Sequence, residues 1–403
     1  MLRKLTFGVL LITGSGLAGA AEWEIKPELG LRAGYVDNLR LTTTDEVSTA
    51  EATFSPSAVF SVSTPTSGAS GTLRFDFHRY EESSDLDENN SFFTIDTYHS
   101  FERSRMGLQL DYVNDTTLDS QLEETGLVFA RIPRTRMTAS PNWTWLLSER
   151  TSLRASYTYS DVVYKDAGGT GFVDYTLNNG GLTLSHKVSD RASASLTLSG
   201  TRSDNDNDVS STNGSLQTGF SYMLSETLST SLYIGVRHTQ VDYSSTSLIP
   251  IYSGSTLIGF LPLTQDVSNS DWGGTFSAGI TRKFLRGETG LSASQDISNS
   301  INGTPIEVDR IRWHNIYWLS EILAARLSIE YYRTQFSNTV GQDLDRDYYQ
   351  IQPEFTWKFR RFWDLTGSYR YRKQTFANSN DDASQNAAYL TLSYHWPRIA
   401  RSR

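Results

Sequence analysis

The sequence predicts an all-β fold, a transmembrane antiparallel up-and-down β-barrel of about eighteen strands. Three observations predict it. From Trp23 to Trp396, apolar or aromatic residues recur at every second position for about ten residues at a time, the period of a strand with two unlike faces. The breaks between these runs are of two kinds in alternation. Glu102-Arg103-Ser104, Ser148-Glu149-Arg150, Ser189-Asp190-Arg191 and Phe359-Arg360-Arg361-Phe362 are tight; 203–211 and 242–271 are long, polar and acidic. Short turns at one end and longer loops at the other are what a membrane barrel presents. Third, Trp143, Trp145, Trp313, Tyr317, Trp318, Trp357, Phe359, Phe362 and Trp363 crowd strand ends beside tight turns, where an interfacial girdle belongs. A soluble sandwich or propeller would gather its aromatics at core centres and repeat a blade motif.

Taken in order, residues 1–20 read as a secretory signal peptide. Arg3 and Lys4 precede an apolar core from Leu5 to Ile12, and Ala18-Gly19-Ala20 supplies the small residues of a cleavage site. The remainder, 21–403, carries no linker and no change of pattern, so a single barrel is expected, ending in a short basic periplasmic tail at 397–403. The first strand, 23–36, sets Ile25, Leu29, Leu31, Ala33 and Tyr35 against Glu24, Lys26, Glu28 and Arg32. Segments 51–63, 70–80, 91–101, 106–115, 126–145, 151–160, 172–187 and 192–201 repeat the arrangement. In 212–223, 228–241, 270–283 and 288–297, Gly and Ser dilute it, which leaves sixteen strands as the alternative count. Segments 308–318, 323–335, 346–358, 363–375 and 385–396 complete the set. An even number and a long first connection, 37–50, place both termini with the tight turns, on the periplasmic side. The last run, Ala388 to Trp396, resembles the terminal-strand signal read by the barrel-assembly machinery, although Pro397 to Arg403 follow it.

Composition narrows the function classes. The chain has no cysteine, so disulfide frameworks and thiol chemistry are excluded, as suits passage through an oxidising periplasm. Beyond residue 20 no apolar window approaches the roughly 18 residues of a membrane helix. The net charge of −9 lies largely in loops, among them Asp204, Asp206 and Asp208, and Asp343, Asp345 and Asp347. Nucleic acid is not an expected partner. His78, His99, His186, His238, His314 and His395 are scattered without metal-ligand spacing, so no catalytic residue, metal or cofactor is expected. An enzyme would have to set His238 or His314 beside an aspartate. The run Asp204-Asn205-Asp206-Asn207-Asp208 has the oxygen density of a calcium loop but lacks the internal glycine and closing glutamate, and reads as a solvated loop.

If the apolar parity meets outer-membrane lipid, the opposite parity lines the lumen. It carries Arg74, Arg134, Arg136, Arg154, Arg237, Arg310, Arg312, His314, Arg326, Lys358, Arg370 and Arg372, against Asp76, Asp111, Glu330 and Glu354. Arginines lining a pore favour anions; the competing reading is that they pair with lumen acids and brace the wall.

Several stretches resemble the outer-membrane β-barrels encoded with exosortase/PEP-CTERM systems and exopolysaccharide synthesis clusters. They are Tyr35-Val36-Asp37-Asn38-Leu39, Tyr112-Val113-Asn114-Asp115-Thr116-Thr117-Leu118, Ser140-Pro141-Asn142-Trp143-Thr144-Trp145 leading into Leu147-Ser148-Glu149-Arg150-Thr151-Ser152-Leu153, and the ending Leu392-Ser393-Tyr394-His395-Trp396-Pro397. The resemblance implies a channel exporting an exopolysaccharide, working with a periplasmic polysaccharide export protein and an inner-membrane polymerase, and it brings no catalytic residues. Two other classes stay open. A general diffusion porin for small anionic solutes would fold a long loop inward, and 242–271, with Leu248, Ile249, Ile251, Phe260 and Leu261, is the candidate. A structural or adhesive barrel would have a closed lumen.

Overall fold

The computed structural model describes residues 21–81, 84–117, 131–168, 172–253, 255–300, 303–336, 345–376 and 381–401. The expected targeting segment 1–20, the start of the expected sixth strand at 126–130, and the last two tail residues lie outside them. Eighteen antiparallel strands form the barrel wall. They are β1 (Glu22–Val36), β2 (Thr49–Ser63), β3 (Ser67–Tyr80), β4 (Glu88–Ser100), β5 (Ser104–Thr116), β6 (Pro133–Leu146), β7 (Thr151–Tyr164), β8 (Tyr175–Lys187) and β9 (Ala192–Asn205). The second half runs β10 (Ser210–Ser225), β11 (Leu228–Ser253), β12 (Thr256–Phe284), β13 (Gly287–Asn299), β14 (Pro305–Trp318), β15 (Leu323–Phe336), β16 (Arg346–Arg360), β17 (Trp363–Phe376) and β18 (Asp382–His395). Each strand pairs with its chain neighbours, and β1 pairs with β18 from Glu28↔His395 to Val36↔Ala387, which closes the wall. Closure leaves no sheet edge facing lipid, the condition for a sheet to span hydrocarbon.

The two faces separate as period two requires. Leu31, Phe54, Leu182, Leu198, Leu232, Ile234, Ile311, Ile351 and Leu390 lie exposed on the outer face. At the tight-turn end Trp143 stacks on Trp145, and Trp363 and Trp396 pack against Tyr394, forming the expected periplasmic girdle. Tyr35, Tyr349 and Trp272 mark the opposite interface. An apolar outer belt between two aromatic girdles identifies the molecule as an outer-membrane barrel.

Two expectations are corrected. The segments 203–211 and 242–271 are not long loops. β9 and β10 run to a four-residue turn, in which Asn205 Oδ1 accepts the Asn207 and Val209 N–H groups. Arg202 holds Asp204, so the aspartate run caps a hairpin. β11 and β12 continue as a ladder of 26 and 29 residues that stays almost in register to the Ser253–Thr256 turn. β10 stops pairing at Ser210↔Asp242 and β13 at Gln295↔Phe276, so the last turns of the ladder stand alone, roughly 30 Å beyond the rim. Hydrogen-bonded tiers, Ser244 to Asp266 and Thr246 with Thr264, explain why a ribbon forms where a loop was expected. Its tip is apolar and exposed, with Leu248, Ile258 and Phe260 outward, and does not enter the lumen. The tail is not free either: after Pro397, β19 (Ile399–Arg401) pairs Ile399 with Ile25 and Arg401 with Trp23.

Two tests follow from this architecture. On intact cells, proteinase K should cut the ribbon tip near 253–255 and spare the Ser148-Glu149-Arg150 turn; cleavage at that turn would invert the topology. Leu392 sits between Leu31 and Leu365 on the lipid face. Leu392→Arg should cost about 2–4 kcal/mol in urea titrations of the membrane-inserted barrel, whereas Ser393→Asn, facing the lumen, should change little.

Candidate functional site in the barrel lumen

The lumen divides into two zones. Toward the periplasm its polar side chains are reached by solvent: Arg312, His314 and Arg326 are each about half exposed. In the outer third, lumen-facing residues are buried, among them Arg134, Arg237, Arg346, Tyr332, Tyr348, Gln374 and Gln385. Among the described residues, the first connection folds inward over this zone.

The principal cap is the first connection, 37–48. Its root is fixed by Asp37, whose carboxylate accepts the Asn386 backbone N–H at 2.6 Å and the Asn386 side-chain amide at 2.7 Å. Asn38 closes the loop on itself through Thr42, donating to its carbonyl and accepting from its N–H. Leu39 then packs with Val36, Tyr80, Leu86, Ala387 and Tyr389. Leu41, held at φ 50°, reaches across to Ile306, Val308, Tyr332, Tyr348 and Ala383. Gln385 donates to the Asn38 carbonyl and Gln374 to the Leu41 carbonyl, both at 2.6 Å, so the cap's inward-facing backbone is satisfied by lumen amides. A second connection leans in from another sector. Ser203 of β9 donates to the Gly303 carbonyl at 2.9 Å, and Gly303 (φ +77°) lies so close to Tyr175 that a Cβ would sit 3.0 Å from that side chain. Ile132 and Phe172 pack against Val162 and Tyr164 in the same tier. There Asp174 accepts the Tyr164 N–H, and partial burial, with Asp206 adding, raises its carboxyl above the usual range against that bond.

The sequence-derived arginines share one face of the ladders but do not form one bare cationic lining. Arg310, Arg312, His314, Arg370 and Arg372 share one wall, β14 to β17. There Arg310 and Arg312 both reach Glu330, at 3.2 and 2.9 Å; His314 lies 3.8 Å from Glu288. Arg372 donates to Gln350, and Arg370 donates to the Tyr389 hydroxyl, over whose ring it also lies. The rest are dispersed. Arg74 pairs with Asp76. Arg134 grips both Asp115 oxygens at 3.1 Å, buried on both sides. Arg237 crosses to Glu307 through the space left by Gly273, where a Cβ would strike its guanidinium. Arg136 is half-buried, and Arg154 is exposed with no ion pair among the described residues. Bracing therefore accounts for most of the set individually.

Arg346, Gln374, Gln385, Leu41 and the stacked pair Tyr332–Tyr348 were not singled out from the sequence. Arg346 opens the expected strand 346–358 between Asp345 and Asp347, where it reads as one charge in an acidic strand end. Leu39 and Leu41 did carry a signal, two leucines two apart in an otherwise polar connection. Below the tyrosine pair lies a cavity of about 470 Å³ lined by Arg312, His314, Arg326, Glu330, Gln350 and Glu354, among others. Its cations and carboxylates are matched across neighbouring strands, Arg312 with Glu330 and Arg326 with Glu354.

The histidines are dispersed over the wall: His78, His99 and His186 lie within hydrogen-bond distance of the hydroxyls of Thr53, Ser67 and Thr151 on neighbouring strands. His238 packs at a tilt against Trp272 on the outer face, and His314 lies 3.8 Å from Glu288. His395 sits between Glu28 and Asp364 at the periplasmic rim with no nucleophile among its contacts. Among the described residues no group of three or more His, Cys, Asp or Glu side chains could hold a metal ion.

No family model matches the chain, and no curated protein matches it. Among solved structures, it is similar to the ferric-catecholate import receptor Fiu of E. coli in its open form (9% identity, 92% of this chain and 81% of that one, TM-score 0.48). It is also similar to OpdQ of Pseudomonas aeruginosa (12% identity, 93% and 98%, TM-score 0.48) and to OccK2 of the same organism (10%, 92% and 98%, TM-score 0.46). Likeness at this level carries no argument about what this barrel transports.

The buried pair gives a direct test. Arg134→Leu alone takes the guanidinium away from the buried Asp115 carboxylate and should destabilise the barrel by about 3–5 kcal/mol, while Arg134→Leu with Asp115→Leu should recover most of that loss, as measured by urea unfolding.

Proposed function

We propose that this barrel is an outer-membrane channel that delivers an exopolysaccharide to the cell surface, fed by a periplasmic polysaccharide export protein. The observation that carries the reading is the asymmetry of the lumen: a solvated polar vestibule toward the periplasm and a cap of chain at the outer mouth. An outlet needs a path open to its supply and a cover that keeps the outside from leaking in. The cap leans on an apolar socket and a few amide hydrogen bonds, contacts that can be remade. The vestibule offers what a moving polymer needs, which is many weak partners and no tight trap. Matched charge pairs and the amides of Gln350 and Gln352 can each exchange hydrogen bonds with sugar hydroxyls. The resemblance of the Tyr35–Leu39 and Tyr112–Leu118 stretches to exopolysaccharide-associated barrels points the same way, and Asp37 and Asp115 within them hold the root of the cap and the Arg134 brace.

The same cap favours one other reading, a permanently closed structural barrel. Conductance separates the two. With residues 40–46 replaced by a Gly-Ser linker, planar-bilayer recordings should show large steady channels where the unaltered protein is mostly closed. A variant that folds but stays closed would favour the structural barrel. Replacing Arg310, Arg312, Arg370 and Arg372 with Gln should reduce anion preference in the opened channel and lower surface polysaccharide without changing the amount polymerised. The loss should be graded, because a wet lumen screens charge over about 8 Å at physiological salt. Unchanged selectivity and secretion would make these arginines wall braces alone.

A further inference from the structure

We propose that Arg346 is a carboxylate-reading trigger for the cap, so that the transported polymer carries carboxylate groups and opens its own exit. This rests on the channel reading and adds the cargo's chemistry to it.

The geometry is a short chain of hydrogen bonds. Arg346 Nη1 donates to Gln374 Oε1 at 2.6 Å, and Gln374 Nε2 donates to the Leu41 carbonyl at 2.6 Å. One amide therefore joins the guanidinium to the cap, and the guanidinium decides which way that amide points. Arg346 Nη2 donates to the Tyr332 hydroxyl at 2.7 Å, and the guanidinium carbon lies 5.5 and 5.7 Å from the Tyr332 and Tyr348 ring centres. The residue is 1% exposed. Among the described residues its partners are all neutral, and its Nε is buried without any.

That combination is unlike the other fully buried lumen arginines. Arg134 has Asp115 and Arg237 has Glu307. A buried guanidinium served only by amide, hydroxyl and ring contacts keeps its charge at a desolvation cost that a carboxylate would offset. A planar guanidinium matches a carboxylate two bonds at a time, and a bidentate pair with both partners ionised outcompetes the single bond to a neutral amide oxygen. An arriving carboxylate would displace Gln374 Oε1. Gln374 would then lose the contact that aims its Nε2 at Leu41, and the cap would lose the bond that seats its apolar tip.

The approach is from below. Tyr332 and Tyr348, which flank Arg346, also line the vestibule cavity, so two stacked rings separate a ligand there from the guanidinium. The cap's root does not depend on the trigger, because Asp37 is held by Asn386 and Asn38 by Gln385. Release would therefore swing residues 40–46 about a fixed hinge and leave the barrel wall as it is.

The test uses the full-length protein in planar bilayers, with oligogalacturonate or a neutral maltooligosaccharide of equal length on the periplasmic side. Oligogalacturonate should raise the open probability about fivefold or more, the order expected when one neutral hydrogen bond is lost from the closed state. The neutral oligomer should not. Gln374→Glu places a carboxylate against Arg346 and removes the donor to Leu41, so it should be open without ligand and deaf to it. Arg346→Gln should not respond, and Arg346→Lys, which keeps charge but loses the planar fork, should respond weakly. A closed Gln374→Glu channel, a normal response in Arg346→Gln, or equal responses to both oligomers would overturn the trigger. Replacing 40–46 in each variant checks that its barrel still conducts. Conduction there with no carboxylate response anywhere would sink the trigger and leave the channel, whereas no conduction from the cap-deleted native sequence would sink the channel reading itself.

Discussion

The structure depends on one constraint, the closure of β1 onto β18. In hydrocarbon no water can satisfy a bare strand edge, so the wall must be a complete ring of ladders before any lumen exists. Everything inside follows from that ring. Period two then forces each strand to send one parity to lipid and the other inward, and the inward parity is free to be polar because the lipid never meets it. The short turns hold one end open and narrow in sequence, while the longer connections at the other end have the length to fold back over the mouth. The cap is possible because the first connection leaves β1 beside the closing seam, where β18 offers Gln385 and Asn386 to hold it.

What the seam permits, the lumen chemistry uses unequally. In the outer third, burial puts a cost on any unpartnered polar group: Arg134 has both oxygens of Asp115, and the cap's carbonyls have Gln374 and Gln385, whereas Arg346 Nε goes without. In the vestibule the same residue types are wet, and pairs such as Arg326 with Glu354 contribute little to stability, about 0–1 kcal/mol each. Arginine thus has two roles along one axis, a structural brace where it is dry and a weak, exchangeable contact where it is wet.

The wall was legible in the sequence because its signal is repeated and local. The alternation placed most of the wall strands within a few residues, although it started β6 too early and stopped β11 and β12 short of their extensions, and the Trp143–Trp145 pair and the Trp357–Trp363 region marked the periplasmic interface. The ribbon at 243–265 was misread as a loop because it leaves the membrane: its Ser and Thr tiers carry no lipid-facing alternation, and register between two strands is a pairwise property that one segment does not display. The site was less legible for a related reason. Parity found the lumen arginines, yet parity does not say which acid lies opposite, so Glu330 serving both Arg310 and Arg312 and Asp115 serving Arg134 emerged only from the ladder registers. The cap depends on contacts between residues more than 300 positions apart, such as Leu41 with Gln374, and no local pattern encodes those.

The chain's lack of cysteine makes the central claim, a lumen closed at the outer mouth by the first connection, directly measurable. A single Leu41→Cys variant on intact cells can be labelled with a membrane-impermeant maleimide beside a Leu248→Cys reference on the exposed ribbon. Labelling should be rapid at position 248 and slow at position 41 while no polymer is being made, with position 41 accelerating once synthesis is switched on. Labelling of position 41 as fast as position 248 in the absence of polymer would contradict the claim.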